Sequence, residues 1–368
     1  MTATLTVMVG GGGVGKTTTG AALGLALARR GERVLVVTVD PARRLADALG
    51  VELGSETARV VIDGVAFDAK MPDPRRAVGQ FAGWLFAEDA ARGQRIRQTS
   101  LYRELSDALV GMHELVCIAL VDQELGSGRY DHVVLDTAPS RHALDFVDYP
   151  GRLVAMLEAR TMRWVAQLAG AAGASLARRP EGRGLLAWGK RRVAGLVASV
   201  VGGPAVRDLG AFFADLGAVR ARWLGLLRSV GRRLSGEHTR FWIVTGPSGA
   251  AMDDAEYLIR ELERRELVAD RVLINRVQEQ VPDWLTAFGQ APSSPLSGLV
   301  RSYLTEYEAR ALATRRARER MARLVPPGTP LSLLPALRTT DPRAILRALG
   351  AALDAAEGRG FTGRPDRL

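Results

Sequence analysis

The chain has 368 residues, of which 47% are hydrophobic, and a formal net charge of +10. This apolar content supports a sizeable core and excludes an intrinsically disordered chain. A single cysteine, Cys117, excludes an intrachain disulfide and a metal site built from cysteine pairs within one subunit. The sequence lacks a secretory signal and any apolar run of about 18 residues, so we expect a cytoplasmic protein, with peripheral membrane binding as the alternative.

The first motif is Gly10–Thr17, which reads Gly-Gly-Gly-Gly-Val-Gly-Lys-Thr. A β-branched run at Thr4–Val9 precedes it and an alanine- and leucine-rich run at Lys16–Arg29 follows, which is the strand–loop–helix order of a phosphate-binding loop (P-loop). We expect the loop amides and the helix N-terminus to bind a polyphosphate. Lys16 is expected to reach the β- and γ-phosphates, and the Thr17 hydroxyl to ligate Mg²⁺. The alternative is a glycine-rich turn without a ligand.

Two aspartates follow predicted buried strands. Asp40 comes directly after Arg33–Val39, and Asp136 directly after Val133–Leu135. Because open α/β sheets place their chemistry at the carboxyl ends of strands, both carboxylates are expected near the P-loop. Asp40 is a candidate to orient or deprotonate an attacking water, with a turn-initiating aspartate before proline as the alternative. Asp136 is expected to hold Mg²⁺ directly or, as we favour, through water.

The positive charge is concentrated in residues 151–240, where 16 basic residues accompany 5 acidic ones. Such a segment suits acidic headgroups or an acidic partner, and the alternative is a solvated helical surface. Few aromatic residues interleave with these arginines, so we expect no nucleic acid partner. Apolar runs within the same segment predict the core of a helical subdomain, for example at 185–188, 193–201, 211–213 and 223–227.

Three blocks together resemble the ArsA family of ATPases. They are Gly-Gly-Val-Gly-Lys-Thr-Thr at 12–18, Asp-Pro-Ala-Arg-Arg-Leu-Ala-Asp-Ala-Leu-Gly at 40–50 and Asp-Thr-Ala-Pro-Ser-Arg-His-Ala-Leu-Asp-Phe at 136–146. The family includes arsenite-pump ATPases and the ATPases that target tail-anchored membrane proteins, and it belongs to the deviant P-loop group with the MinD and ParA dimers. The resemblance extends nearly end to end and is strongest to an arginine-rich bacterial branch.

The resemblance implies an ATP- and Mg²⁺-dependent hydrolase and assigns roles to individual residues. Asp40 matches the water-activating carboxylate of the first switch, and Asp136 the Mg²⁺-sensing carboxylate of the second. Asn275 matches the residue that reads adenine, with an ordinary turn residue at a strand end as the alternative. Pro335 resembles the loop that closes over the base. The nucleotide-binding P-loop residues are then Gly12, Gly13, Val14, Gly15, Lys16, Thr17 and Thr18.

Two departures from the family pattern limit what it implies. The family's signature lysine, which reaches the partner subunit's phosphates, is replaced here by Gly11. Losing a preorganised cation is expected to slow hydrolysis or to make it depend on a partner that supplies the charge. The metalloid-binding cysteines and the zinc-binding Cys-x-x-Cys motif are also missing, and the four histidines show no ligand spacing. Arsenite binding is therefore not expected.

We therefore predict an α/β protein with a doubly wound, mostly parallel sheet and an inserted helical subdomain. The predicted ATPase core is 1–72, 127–150 and 240–357, the insert is 73–126 and 151–239, and 358–368 is a flexible tail. The predicted function is a dimeric Mg·ATPase whose nucleotide state controls a client-binding or membrane-associated region. Two alternatives stay open. One is an ATP-binding scaffold paired with an active homologue, and the other is a positioning ATPase like MinD or ParA.

Overall fold

The structure is a computed structural model that describes residues 3–40, 42–87, 89, 94, 113–139, 143–158, 203–281 and 297–357. The chain forms two compact units. The first comprises Met1–Asp73, Gln123–Asp145 and Ser235–Leu368, and the second comprises Pro74–Asp122 and Phe146–Leu234. Residues 159–202, with two of the predicted apolar runs, and the predicted tail at 358–368 lie outside the described residues.

The first unit is built on one eight-stranded sheet. Its strands are β1 (Thr4–Val9), β2 (Val34–Thr38), β3 (Ala58–Ile62), β4 (Val65–Lys70), β5 (His132–Asp136), β6 (Thr239–Thr245), β7 (Ala269–Val277) and β8 (Leu331–Pro335). The helices of the chain include α1 (Lys16–Arg29), α2 (Arg44–Leu49), α3 (Pro74–Leu85), α4 (His113–Gly126), α5 (Asp145–Glu158), α6 (Gly203–Leu234), α7 (Gly249–Arg264), α8 (Ser297–Leu324) and α9 (Pro342–Glu357).

The strand order is β3-β4-β2-β5-β1-β6-β7-β8. Every neighbouring pair is parallel except the β3–β4 hairpin at the edge. Strand β1 lies between β5 and β6, and the chain continues on one side of β1 with β2 to β5 and on the other side with β6 to β8. The loop after β1 therefore opens at the point where the strand order reverses, which is the usual ligand site of such folds. The predicted α/β class with a mostly parallel sheet is confirmed.

Helix α1 illustrates how the sequence forms the core of the first unit. Its alanines, leucines and glycines are strong helix formers or small residues, and ten of its positions are buried. A Cβ on Gly24 would lie 2.5 Å from Cγ2 of Val36 on β2, so glycine allows the helix to approach the sheet closely. On its other side α1 contacts α9, where a Cβ on Gly350 would lie 3.4 Å from the Ala22 carbonyl.

The second unit is helical in its described part and has a small core of its own. Aromatic and cationic groups meet there, since the Arg222 guanidinium lies 5.3 Å from the centre of the Trp84 ring and donates to the Trp84 carbonyl at 3.2 Å. The apolar core of this unit consists of Leu157, Leu224 and Leu227, with Tyr149, Leu153, Val154 and Trp223 packed against it. Burial of these side chains stabilises the packing of α5 against α6.

Within the ranges given above, no helix combines the length and the apolar character that crossing a membrane requires. The same residues contain no group of acidic, histidine or cysteine side chains that could hold a metal ion by themselves. Cys117 is buried on α4.

Candidate nucleotide-binding site

The P-loop connects β1 to α1 as the sequence predicts. Its backbone requires glycine at several points. Gly13 and Gly15 have φ angles of 71° and 93°, in the left-handed region that side chains disfavour. A Cβ on Gly10 would lie 2.1 Å from the Val244 carbonyl oxygen on β6, so this position has no room for a side chain. Gly12 and Gly13 have open space around them, which leaves their peptide groups accessible to a ligand.

Lys16 is buried at the start of α1, with 5% of its surface exposed. Its Nζ donates to the carbonyls of Gly10 and Gly11, both at 2.9 Å. Burial lowers the pKa of Lys16 to about 8, although the Asp136 charge acts in the opposite direction. The neighbouring carboxylate thus compensates only part of the cost of burying the Lys16 ammonium, and a bound anion would stabilise it further.

Asp136 lies fully buried at the carboxyl end of β5. Its Oδ2 accepts hydrogen bonds from the hydroxyls of Thr17, at 2.8 Å, and Thr38, at 2.9 Å. Burial raises the pKa of Asp136 to about 6, and the two threonine hydrogen bonds oppose that rise. Among the described residues, its buried Oδ1 has no hydrogen-bond partner. The structure thus places Thr17 and Asp136 together and leaves one carboxylate oxygen for a further ligand.

Asp40 follows β2 and is also buried, at 6% exposure. Its Oδ1 accepts the Ala42 N–H at 3.0 Å, and its Oδ2 accepts Arg44 Nη1 at 3.0 Å. The negative charge of Asp40 opposes the lowering of the Lys16 pKa by burial, and it adds to the rise that burial causes in the pKa of Asp136. The three charged groups therefore lie within electrostatic range of one another. Asp40 is thereby both a turn residue, with its bond to Ala42, and a buried carboxylate facing the site.

A cavity of about 730 Å³ extends from the P-loop along the end of the sheet. Its volume lies within the usual range of ligand sites of about 300 to 1,000 Å³. Gly12, Gly13, Val14, Gly15 and Thr18 line one end, and Asn275 and Pro335 also line it. The structure therefore brings the candidate base-reading residues into the same cavity as the P-loop.

Lys16 and Thr17 do not line this cavity but lie beneath the loop, where they contact backbone carbonyls and Asp136, respectively. Arg276, Gln278 and Arg310 line the cavity and were not predicted from the sequence. Arg276 has a φ angle of 59°, unusual for a residue with a side chain, at an irregularity of β7. No local motif marks these three residues, because β7 and α8 bring them to the site through tertiary folding.

Two further residues of the site were missed. Thr38 shares the Asp136 oxygen with Thr17, and its position at the end of a strand beside Asp40 was a signal that could have found it. Asp254 on α7 lies beside the P-loop, because a Cβ on Gly11 would be 2.5 Å from its Oδ2. Nothing in the sequence near Asp254 indicates this proximity. The carboxylate therefore lies where the first side-chain carbon of a lysine at position 11 would be.

Comparison with known proteins supports a family assignment. The family model for the anion-transporting ATPases, ArsA_ATPase, matches residues 3–176. The protein named ATPase ARSA2 of Chlamydomonas reinhardtii is 30% identical over 275 residues, which are 74% of this chain and 67% of the algal protein. ATPase get3 of Schizosaccharomyces japonicus (strain yFS275 / FY16936) is 32% identical over 145 residues, 39% of this chain and 43% of the yeast protein. ATPase GET3 of Mycosarcoma maydis is 34% identical over 149 residues, 40% of this chain and 42% of its own length.

The matches to the fungal proteins thus span about two fifths of those relatives, 43% and 42% of their lengths. The match to the algal protein is longer and covers two thirds of it, at 67%. The family model includes the P-loop, Asp40 and Asp136, so it covers the part of the chain in which Thr17, Lys16 and the two carboxylates meet. Because this shared segment contains the site and the algal relative matches over most of its length, the chain belongs to the ArsA family of ATPases.

Proposed function

We propose that the chain binds Mg·ATP at the P-loop and hydrolyses it to ADP and phosphate. The observation that carries this proposal is the meeting of Lys16, Thr17 and Asp136 beneath glycines that keep the loop backbone open. The loop amides and the buried Lys16 ammonium would bind the β- and γ-phosphates. Asn275 and Pro335, in the same cavity, would contact the adenine.

The residues present fit a magnesium ion. Mg²⁺ prefers oxygen ligands, and the Thr17 hydroxyl and the carboxylate of Asp136 provide them. Within the described part of the chain, the buried Asp136 Oδ1 lacks a hydrogen-bond partner, and a water bound to the ion would supply one. When bound, Mg²⁺ neutralises part of the charge on the β- and γ-phosphates. Thr17 would ligate the ion directly and Asp136 through water.

Asp40 is proposed to orient the attacking water or to accept its proton. Hydrogen bonds from Ala42 and Arg44 fix the direction of its carboxylate, and a fixed acceptor near the reacting phosphate is the geometry that general-base catalysis uses. An Asp40→Asn variant is expected to retain ATP binding and to lose most turnover. This pattern would separate catalysis from binding.

We propose that the rate of hydrolysis by the isolated chain is low, because Gly11 supplies no cation for a partner's phosphates. A lysine or arginine from a second subunit would restore the missing charge. The proposed assembly is a dimer, either of two identical chains or with an ArsA-like partner. A scaffold that binds ATP without hydrolysing it is the second candidate, and the Gly11 substitution specifically favours it.

The nucleotide state is further proposed to control the second unit, with an apolar helical client or a membrane surface as its partner. The basic excess of residues 151–240 supports an acidic rim on that partner. A positioning ATPase of the MinD or ParA kind would bind lipid or DNA without an apolar client. Peptide crosslinks that map to residues 151–235 would favour the client, and retention by lipid or DNA alone would favour positioning.

The decisive experiment measures ATP binding and ATP turnover with the full chain and with Lys16→Ala. Lys70→Ala is the matched control, since Lys70 lies on β4 and forms an ion pair with Glu124 on α4. Turnover that K16A abolishes and K70A retains would support the hydrolase. Tight ATP binding with turnover at the background rate would favour the scaffold. If the unaltered chain bound no ATP at all, both candidates would be wrong.

A further inference from the structure

Asn275 contacts the P-loop itself in addition to lining the cavity. Its Nδ2 donates to the Val14 carbonyl at 2.9 Å, and its Oδ1 accepts the Arg276 N–H at 2.9 Å. Because a carbonyl only accepts and a peptide N–H only donates, these two partners fix the orientation of the amide. The side chain is buried, with 5% of its surface exposed. Such a buried and directed hydrogen bond ties β7 to the loop.

The loop is shaped around this amide. Gly15 has a φ angle of 93°, and a Cβ placed on it would lie 2.3 Å from Asn275 Nδ2. Its carbonyl accepts the Thr19 N–H at 2.9 Å, one of the first hydrogen bonds of α1. The side chain of Asn275 therefore lies against the point at which the loop turns into the helix that bears Lys16. A change in the amide would act directly on the part of the loop that would hold phosphate.

The same residue lies at an irregularity of the sheet that leads to the other end of the cavity. The register between β7 and β8 shifts between Ile274 and Val277, where Arg276 has its φ angle of 59°. Val277 is paired with Pro335, and the Val277 carbonyl accepts the Ala336 N–H at 2.9 Å. Asn275 thus stands between the phosphate end and the proposed base end of one cavity.

We propose that Asn275 is a positioning residue that holds the P-loop in its phosphate-binding shape, independently of any contact that it makes with a base. This inference rests on the proposed function of the site. The amide still has a second N–H and a second acceptor lone pair, so a base can bind to it while the bond to Val14 persists. Asn275 would then contribute to the affinity for a ligand that has phosphates but no base.

Inorganic tripolyphosphate with Mg²⁺ is the probe that separates this role from base reading. Calorimetry with the full chain would compare tripolyphosphate and ATP on the unaltered protein and on Asn275→Leu, which keeps the side-chain shape and removes both hydrogen bonds. The affinity for tripolyphosphate is expected to fall about fivefold, the effect of losing one net hydrogen bond. Pro335→Ala, at the base end, is expected to weaken ATP binding and to leave tripolyphosphate binding unchanged.

Ser332→Ala is the matched control for the loss of a buried hydrogen bond. Ser332 lies on β8 and accepts Arg271 Nη1 at 2.8 Å, and it does not line the cavity. The S332A variant should unfold at a lower temperature than the unaltered chain and bind tripolyphosphate with the same affinity. If N275L fails to fold, Asn275→Ala, which only removes atoms, is compared in the same way.

Three outcomes decide the inference. The inference is supported if the Asn275 variants bind tripolyphosphate more weakly while S332A binds it as tightly as the unaltered chain. Weaker ATP binding with unaltered tripolyphosphate binding overturns it and leaves Asn275 as a base-reading residue only, with the proposed function intact. If the unaltered chain binds neither ligand, the proposed function fails, and the inference fails with it.

Discussion

Lys16 and Asp136 are opposite charges buried beside one loop, and burial disfavours the charged form of both. The pKa of Lys16 is lowered to about 8 and that of Asp136 is raised to about 6. Their mutual attraction does not offset desolvation, so the protein by itself stabilises both charges poorly. A polyphosphate beside Lys16 and a cation beside Asp136 would supply what the protein lacks. This electrostatic pattern supports the proposed binding of a charged ligand.

The first residue-scale prediction concerns alkaline pH. Below pH 8 Lys16 is already protonated before phosphate binds, whereas above its pKa of about 8 it must take up a proton on binding. The affinity for ATP is therefore expected to fall by up to about tenfold per pH unit above that value. Calorimetry across this pH range checks it. Lys16→Arg is the control, because arginine does not titrate there, and an equal alkaline loss in K16R would contradict the assignment.

Asp136 yields a prediction about stability. Its pKa in the folded chain, about 6, lies above the ordinary value of 3.8, so the folded state binds its proton more tightly than the unfolded state does. The raised pKa makes no difference to stability below about pH 4 and reduces stability as the pH rises from about 4 to 6, by about 2 to 3 kcal/mol in full.

The neutral variant Asp136→Asn should therefore unfold at higher denaturant concentration than the unaltered protein at pH 8. The difference should disappear near pH 4, where both chains carry a neutral side chain. Urea unfolding without nucleotide or Mg²⁺ measures both values. A variant that is less stable at pH 8 would show that burial does not disfavour the Asp136 charge.

Gly11 and Asp254 lead to a paired prediction. A Cβ at position 11 would lie 2.5 Å from Asp254 Oδ2, so in Gly11→Lys the carboxylate must move and can retain the new ammonium as an ion pair. We expect G11K alone to gain little ATP turnover. The double variant with Asp254→Ala should hydrolyse ATP at least about tenfold faster than the unaltered chain, because a cation is freed for the phosphates. Steady-state turnover of the single and double variants tests this, and no gain in the double variant would mean that the missing lysine does not limit the rate.

At the scale of elements, local pattern predicted much of the sheet. The strand at Thr4–Val9 and the helix at Lys16–Arg29 have the predicted bounds. Local sequence suffices there because Thr4–Val9 is a short, apolar run rich in β-branched residues and Lys16–Arg29 is rich in alanine and leucine. The β3–β4 hairpin turns at Asp63-Gly64, whose φ angles are 52° and 79°. An Asp-Gly pair between two strand-like runs is a local hairpin signal.

The irregularity of β7 could not be predicted in this way. It adjoins a long-range contact, since Asn275 is hydrogen-bonded to Val14 of the P-loop, 261 residues earlier in the chain. The hydrogen bond between the buried side chains of Arg271 on β7 and Ser332 on β8 likewise joins residues that lie 61 positions apart in the sequence. Sequence pattern indicates that a segment is a strand, and it does not specify the strand's neighbours.

Helix α1 contains a matched pair of glycines for an element-scale prediction. A Cβ on Gly24 would lie 2.5 Å from Val36 Cγ2, whereas a Cβ on Gly20 would make ordinary contacts at 3.5 and 3.6 Å with Val134 and Met8. Gly24→Ala is expected to lower the free energy of unfolding by about 1 to 3 kcal/mol, because the stiff, buried Val36 cannot yield.

Gly20→Ala is expected to raise the free energy of unfolding by up to about 1 kcal/mol, the gain in helix propensity from glycine to alanine. Urea unfolding of the two variants measures the difference directly. Equal effects would show that the approach of α1 to β2 does not depend on the missing side chain at Gly24.

At the scale of the whole molecule, the fold class could be predicted because the P-loop motif and the two strand-end aspartates specify a known arrangement. The carboxyl ends of β1, β2 and β5 lie side by side, with Met8 and Thr38 both paired with Asp136. This explains why residues distant in sequence, Thr17, Thr38 and Asp136, meet. The contribution of β7, α7 and α8 to the cavity depends on the strand order on the other side of β1, which no motif encodes.

The net charge of +10 leads to a last prediction, on association. Two identical chains of this charge repel each other, and salt screens the repulsion over about 10 Å at 0.1 M. If the chain forms a homodimer with Mg·ATP, its dissociation constant should therefore decrease between about 0.05 and 0.5 M salt. Binding to vesicles with anionic lipid, or to an acidic partner, should weaken over the same range. Sedimentation velocity of Asp40→Asn, in which bound ATP is expected to persist, measures the dissociation constant of the homodimer. Co-sedimentation with vesicles measures the binding to anionic lipid. Homodimerisation that weakens with salt would show that complementary charges, rather than apolar contact, join the two chains.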